Sequence, residues 1–408
     1  MLALGVLCWI AAVVFGSAAL YPVAAGLVLA VPFALAWVRC ARRGLRLSRR
    51  WPPERLLEGD EVEIEVIVER DAVRALPLPA AVASDGAGRL GAHEVELRPC
   101  RRGYAGSYRL RGLPRGRHCF AALRLTLCDP FGLAASELTL AEPEALVVYP
   151  RLAELERCVV AGGSLEHGRR LLLRRVAGFE LHGVREHERG ESLRRVHWPS
   201  TAHRGQLMVK ELEDSPRDEV AVLLDGDAAA VAGRPPDSSF DAAVRVAGSL
   251  VLSQARRGRR CLLVVNSARR ETHAVSSEGA DWRQALELLA TAEPDATSPV
   301  GHILAPGAGP ALRSRELVVV TSRLEPVLVE RLLERALSHR PVALVHVDGA
   351  SFAGRPGRPE PALLRLQAAG VPVAVVRRGD DLTAALGGQG RPPAGASGEP
   401  QPAEAAGA

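Results

Sequence analysis

Residues 219–224 read EVAVLL, and the chain continues DGDAA over 225–229. An unbroken apolar run of strand length, bounded by charge, suits a strand covered on both faces, as in a parallel sheet. The pattern then repeats. Helical spacing over Phe240–Arg256 leads to a strand at Arg260–Val265 and a helix at Asp281–Leu289. Strands at Glu316–Thr321, Pro341–Val347 and Val371–Val376 alternate with helices at Glu325–Leu337, Ala362–Ala369 and Leu382–Leu386. Alternation of this kind predicts βαβ units and a doubly wound, largely parallel α/β domain over 216–386. The tail, 387–408, is Gly, Pro, Ala and Ser with few apolar anchors, and is expected to be disordered.

Upstream the period changes to two. Val62, Ile64, Val66 and Val68 alternate with Glu61, Glu63, Glu65 and Glu69, giving a half-buried strand with an acidic outer face. Further strands are expected at Pro77–Ala83, Ala92–Leu97, Gly106–Leu110, His118–Leu127 and Ala145–Tyr149. Turn residues separate them, so 51–150 is expected to be a β-sandwich-like domain. Asp129-Pro130-Phe131-Gly132-Leu133 reads as one of its hairpin turns, with Phe131 packing inward.

The N-terminus is of another kind. Leu2 to Val38 carries no charge. The run is too long for one membrane span and suits two short ones, Leu2–Ala18 and Val23–Val38. Arg39, Arg42, Arg43, Arg46, Arg49 and Arg50 follow, completing a membrane segment over 1–50. Positive charge stays on the cytoplasmic side, so the hairpin is expected in the inner (plasma) membrane with the soluble domains cytoplasmic. The rival reading, a cleaved signal peptide, lacks a basic n-region and has too long an apolar part.

Between the two domains, 151–215 reads as a connecting segment. Its core is FELHGVREHERGESLRRVHWPSTAHRGQLMVK, residues 179–210. Gly183, Gly190 and Pro199 argue against one amphipathic helix. A turn-rich ordered segment is expected, its charges paired and Trp198 burying against the sheet. The segment is either a brace docking one domain on the other or a surface for a partner.

The net charge of the 408 residues is +5 and the pI about 9.0. Arginine clusters beside the membrane segment and around the central stretch, with no recognised reading module, so nucleic acid is not expected as a partner. The seven cysteines are scattered and form no CxxC pair, against a disulfide framework or a zinc site. No GxSxG, HExxH, P-loop or GxGxxG occurs. His182, His187, His197 and His203 lack the spacing of zinc ligands and read as solvated or capping residues.

Three features together carry a resemblance: the N-terminal hairpin, the DPFGL turn, and R-E-x-x-x-G-E-x-x-R-x-x-H-W over 185–198 followed by L-M-V-K-E over 207–211. The chain resembles the bacterial membrane proteins of the domain of unknown function 58 family, whose back half is similar to a von Willebrand factor A domain. The resemblance places a charged signature on Arg185, Glu186, Gly190, Glu191, Arg194, His197, Trp198 and Lys210. His187, Glu191, Pro199 and His203 depart from the family pattern. Von Willebrand domains hold a divalent cation through Asp-x-Ser-x-Ser after the first strand. Here that position reads Asp225-Gly226-Asp227-Ala228-Ala229, lacking both hydroxyls. Asp225 and Asp227 are then residual ligands of a degenerate Mg²⁺ site, and no cofactor is expected.

The resemblance implies a non-enzymatic, membrane-anchored adaptor beside a MoxR-type AAA+ ATPase and a transglutaminase-like membrane protein, in envelope assembly or stress response. The alternative is a Mg²⁺-dependent adhesion or binding module. A hydrolase using a histidine and a carboxylate of the central stretch ranks last, because nothing orients a nucleophile.

Overall fold

The computed structural model describes residues 1–52, 55–70, 79–101, 103–139, 142–155, 180–186, 196–213, 220–305, 314–357 and 359–386. The chain forms two compact units, Met1–Arg151 and Leu152–Ala408.

The first unit begins with a helical hairpin, α1 (Leu2–Phe15) and α2 (Leu20–Ala41). Gly16, at φ 61°, ends α1, and Trp9 meets Tyr21 edge to face at 5.6 Å between ring centres. At 1.5 Å rise per residue, the 14 residues of α1 span about 21 Å and the 22 of α2 about 33 Å. A bilayer core of about 30 Å needs about 20 residues. Among the described residues only α2 is therefore long and apolar enough to cross a membrane. The first expected span is a shorter apolar helix.

The strands that follow are β1 (Leu45–Arg50), β2 (Val62–Arg70), β3 (Ala80–Gly86), β4 (Ala92–Cys100), β5 (Gly103–Leu110), β6 (Gly116–Phe120), β7 (Arg124–Cys128), β8 (Ala135–Thr139) and β9 (Glu144–Val148). Seven of them form one antiparallel sheet in the order β1-β2-β5-β4-β3-β7-β8, and β6 and β9 form a second sheet of two strands. The expected acidic strand is β2: Val62, Ile64, Val66 and Val68 are buried, while Glu63, Glu65 and Glu69 face solvent. The segment expected as a single strand at His118–Leu127 is two, β6 and β7, in different sheets. Period-two patterning marks a buried face but does not choose the strand's neighbour.

Phe131 was expected to pack inward; it is 82% exposed. The basic run after α2 also divides. Arg39, Arg42 and Arg43 are exposed at the helix end, whereas Leu45–Arg50 is already strand β1. Arg49 turns inward and donates to Asp85 from Nε at 2.9 Å and from Nη2 at 2.7 Å, both side chains fully buried. Tyr108 Oη donates to the same carboxylate at 2.8 Å, and Arg49 Nη2 also reaches the Ala121 carbonyl.

The second unit carries β10 (Glu180–Glu186), α3 (Trp198–Arg204) and β11 (Met208–Glu213), then an α/β body. The body runs β12 (Val220–Asp225), α4 (Ser239–Arg256), β13 (Cys261–Asn266), β14 (Glu271–Val275), α5 (Ala280–Thr291), α6 (Val300–Ile303), β15 (Glu316–Thr321), α7 (Pro326–Leu337), β16 (Val342–Val347), α8 (Gly349–Phe352), α9 (Pro361–Ala368), β17 (Val373–Val376) and α10 (Leu382–Leu386). Its six-stranded sheet has the order β14-β13-β12-β15-β16-β17. Only β14, at one edge, is antiparallel to its neighbour. All of β12 is buried. Val220, Val222 and Leu224 pack in one core with α4; Ala221 and Leu223 pack in the other with α7. A capping box starts α4, with Ser238 and Asp241 bonding each other's backbone N–H.

Candidate functional site

The parallel strands end on a row of polar residues. Asn266 closes β13, Asp225 closes β12, Thr321 closes β15, and His346 stands beside Thr321 in β16. All four are buried. Strands made mainly of Val, Leu and Ala thus deliver four polar side chains to the carboxyl edge of the sheet, the usual crevice of α/β folds.

Asp225 sits at the centre. Its Oδ2 accepts from Thr321 Oγ1 at 2.7 Å, and its Oδ1 accepts from Asn266 Nδ2 at 3.1 Å and from the Asp227 N–H at 3.3 Å. Burial pushes its pKa up, against the bonds from Thr321 and Asn266. Burial also lowers the pKa of His346, against the charges of Glu360 and Asp348. Gly226 is required where it stands, because a Cβ there would lie 2.3 Å from the Asn266 carbonyl oxygen.

Asp227 faces another partner. Its Oδ1 caps a short 3₁₀ turn through the Ala229 N–H at 2.9 Å, and its Oδ2 pairs with Arg323 Nη1 at 3.1 Å. The Arg323 N–H donates to Thr321 Oγ1 at 3.0 Å, tying the turn after β15 to the same cluster. A Mg²⁺ ion wants near-octahedral oxygen ligands. Here Ala229 offers a methyl group, and a guanidinium already balances Asp227. The donor set suits an internally balanced cluster better than an oxygen cage. Among the described residues no three His, Cys, Asp or Glu side chains gather around a common point.

The charged signature lies elsewhere in this unit. β10 and β11 pair antiparallel, with Arg185 opposite Val209, Glu186 opposite Met208 and Val184 opposite Lys210. The hairpin thus brings Arg185, Glu186 and Lys210 onto neighbouring strands. Gly190, Glu191 and Arg194 lie outside the described residues, as does His187.

Between the strands, α3 is organised by its first residues. His197 is its N-cap, with Nδ1 2.8 Å from Ser200 Oγ and accepting from the Ser200 N–H at 3.4 Å. The His197 N–H donates to the Met208 carbonyl at 2.7 Å, and the Met208 N–H donates to Thr201 Oγ1 at 3.0 Å. Val196 and Met208 are buried. His203, in the last turn, is exposed. Of the two roles expected for these histidines, solvated or capping, His197 takes the capping one.

Trp198 does not bury against a sheet as expected; it is 65% exposed. It is the first residue of a seven-residue helix with Pro199 behind it, and the buried anchors of the segment are Val196 and Met208 instead. No residue of this helix is buried, and the indole at its start stays in solvent with the rest.

Sequence reasoning named Asp225 and Asp227 but not Asn266, His346 or Arg323 as members of one cluster. The signal available was the first polar residue closing successive apolar runs: LLD, VVN and VVT.

Residues 183–349 match the model of a family described as "Protein of unknown function DUF58". The chain is also 25% identical, over 298 residues, to the "Uncharacterized protein YeaD" of Bacillus subtilis (strain 168), a match covering 69% of this chain and 71% of the relative.

Proposed function

We propose that this chain, which belongs with the DUF58 family through residues 183–349, is a membrane-anchored interaction protein with no catalytic chemistry of its own. The observation that carries this reading is Trp198. It is a large amphipathic side chain held 65% exposed on a short, capped helix inside the charged signature. An exposed Trp within an Arg-rich stretch of sequence is the composition of protein–protein contact centres. A brace would have buried the indole. The crevice supports the same reading, because its carboxylates are balanced from within the chain by Thr321, Asn266 and Arg323.

In this proposal the hairpin of α1 and α2 anchors the chain in the inner membrane with both units cytoplasmic. The partner class is the one the family resemblance implies, a MoxR-type AAA+ ATPase, with a transglutaminase-like membrane protein as a further partner. The α/β body is read as von Willebrand factor A-like. The strand order β14-β13-β12-β15-β16-β17 and its antiparallel edge support that reading.

The test is co-purification of the full chain, in detergent, with the ATPase in its ATP and ADP states. Trp198→Ala and the double variant Arg185→Ala, Arg194→Ala are the probes. Loss of about tenfold or more in affinity for Trp198→Ala fits an interface anchor. Unchanged binding in both variants would return the signature to a bracing role.

A second reading, a Mg²⁺-dependent binding module, has one observation in its favour: the oxygens of Asp225 and Thr321 meet at 2.7 Å at the strand ends. Calorimetric titration of the full chain with Mg²⁺ separates the two. A saturable heat abolished by Asp225→Asn would establish the second.

A further inference from the structure

The position of the helices on the first unit has a consequence for its surface. Ala34, Val38 and Ala41 of α2 share one buried cluster with Leu45, Val66, Val68 and Leu127 of the sheet. The last turns of α2 are thus packed into the β unit, and the membrane-crossing helix and the sheet are one body.

Strand register tells which end of the sheet the helix meets. β1 begins at Leu45, opposite Arg70 at the end of β2. Its far end carries Arg49, which reaches Asp85 near the end of β3 and the Ala121 carbonyl ahead of β7. The start of β1 therefore lies with Ala80 at the start of β3, whose partner is Cys128 at the end of β7. Arg42, just beyond α2, reports the same from the helix side: its Nη1 donates to Ser136 Oγ in β8 at 3.3 Å. The β7–β8 turn stands at the end of the sheet where α2 arrives. So does the β4–β5 turn, since Gly103 pairs with Glu69.

These turns carry a distinctive pair of features. Phe131, at the tip of the β7–β8 turn, is 82% exposed, while its neighbours Leu133 and Ala134 pack in the same cluster as α2. The turn is held firmly. The buried Asp129 carboxylate accepts from the Phe131 N–H at 2.9 Å and the Ala134 N–H at 2.5 Å. Around it, Arg39, Arg42 and Arg43 at the helix end and Arg101 on the β4–β5 turn are exposed. An outward aromatic, a rigid turn and a basic rim, all at the end from which an apolar helix emerges, match the headgroup boundary of an anionic bilayer.

We propose that this end of the β unit lies on the membrane, with Phe131 inserted at the acyl–headgroup boundary and the surrounding arginines on lipid phosphates. The inference rests on the membrane-anchored reading of α2 and extends it. The occupant of this surface is lipid.

The experiment places the photoreactive p-benzoylphenylalanine at single positions of the full chain, reconstituted in nanodiscs of phosphatidylcholine and phosphatidylglycerol. Phe131 is the test position. Phe33, 70% exposed on α2, reports whether the helix is in lipid; Leu337, 75% exposed on the second unit, gives the background. Lipid adducts at 131 about tenfold above those at 337, and within a few-fold of those at 33, are expected for insertion. Adducts at 33 but only background at 131 would overturn the proposal and leave the anchor intact. Background at both positions would overturn the anchor and the proposal together. A protein adduct at 131 in place of lipid would make the surface a protein interface, and also overturns it.

Discussion

Each unit of this protein buries an aspartate in its core, and the two are handled in opposite ways. Asp85 of the β unit faces a charge: Arg49 forks onto both of its oxygens at 2.7 and 2.9 Å, with both side chains fully buried. Asp225 of the α/β unit faces neutral donors, Thr321 and Asn266, and has no cation opposite its carboxylate in that bonding set. The first arrangement is complete and closed. The second leaves an acid whose pKa burial has raised, at the edge of a sheet. A charge matched by a charge is a structural element; a charge matched only by dipoles stays responsive to solution conditions.

Arg49→Ala leaves the Asp85 charge buried and should cost about 3–5 kcal/mol. Denaturant unfolding of the full chain in detergent would read this as loss of the β unit's transition. An Arg49→Met, Asp85→Leu double variant should recover most of that loss. If it does not, the pair is more than a mutually compensated charge.

Next is Gly226→Ala. Its Cβ would meet the Asn266 carbonyl oxygen at 2.3 Å, and the backbone must move. A loss of about 1–3 kcal/mol is expected for such forced overpacking, confined to the α/β unit's transition.

Asp225→Asn is expected to stabilise rather than destabilise, and the effect carries a pH signature. The folded-state pKa of Asp225 is raised above its unfolded value. Its stabilising contribution is therefore present below the ordinary carboxylate value of about 4 and is lost as pH rises through the folded value. Melting curves of the wild type and Asp225→Asn should coincide in acid and separate as pH rises, with the variant higher. A gap that widens towards low pH instead would contradict the neutral-donor reading of the site.

The smallest effect belongs to Arg323→Ala. Its pairing with Asp227 is at 3.1 Å, but the arginine side chain is half exposed. Solvent screening holds the loss to about 0.5 kcal/mol or less. Arg323 balances the crevice electrically without holding it together. A Mg²⁺ affinity that appears only in Arg323→Ala would show that the guanidinium, not the missing hydroxyls, had closed the site to metal.

Much of the α/β body could be read from the chain. The strand at Glu316–Thr321 and the helix at Leu382–Leu386 stand where the apolar runs placed them, and the long α4 differs from its expected Phe240–Arg256 by one residue. Fully buried strands and one-sided helices write their burial directly into composition. The edge strand β14, whose burial alternates weakly, carried no such mark and was missed. β1 was missed for a different reason. Leu45 and Leu47 alternate correctly, but the surrounding arginines look like a membrane flank, and Arg49 reads as solvated until Asp85 is brought to it. Of the candidate site, Asp225 was visible because the resemblance pointed to the position after the first strand of the α/β body. Its partners were not, since Thr321 lies 96 residues away and Asn266 lies 41 away.

Phe131 and Trp198 draw the line between the two levels most clearly. Both are large aromatic residues beside turn-forming prolines, and sequence assigns both to a core. Hydrophobicity sets the free energy of burial if a cover is available; only the tertiary arrangement says whether one is. The sequence by itself determined the apolar N-terminus, the period-two β unit, the alternating α/β body and the charged signature, because local pattern fixes local structure. The buried Arg49–Asp85 pair, the polar row at the strand ends and the two aromatics left facing outward were decided by the packing of distant segments. Burial and pairing are properties of what a side chain meets, and that is set only when the chain has folded.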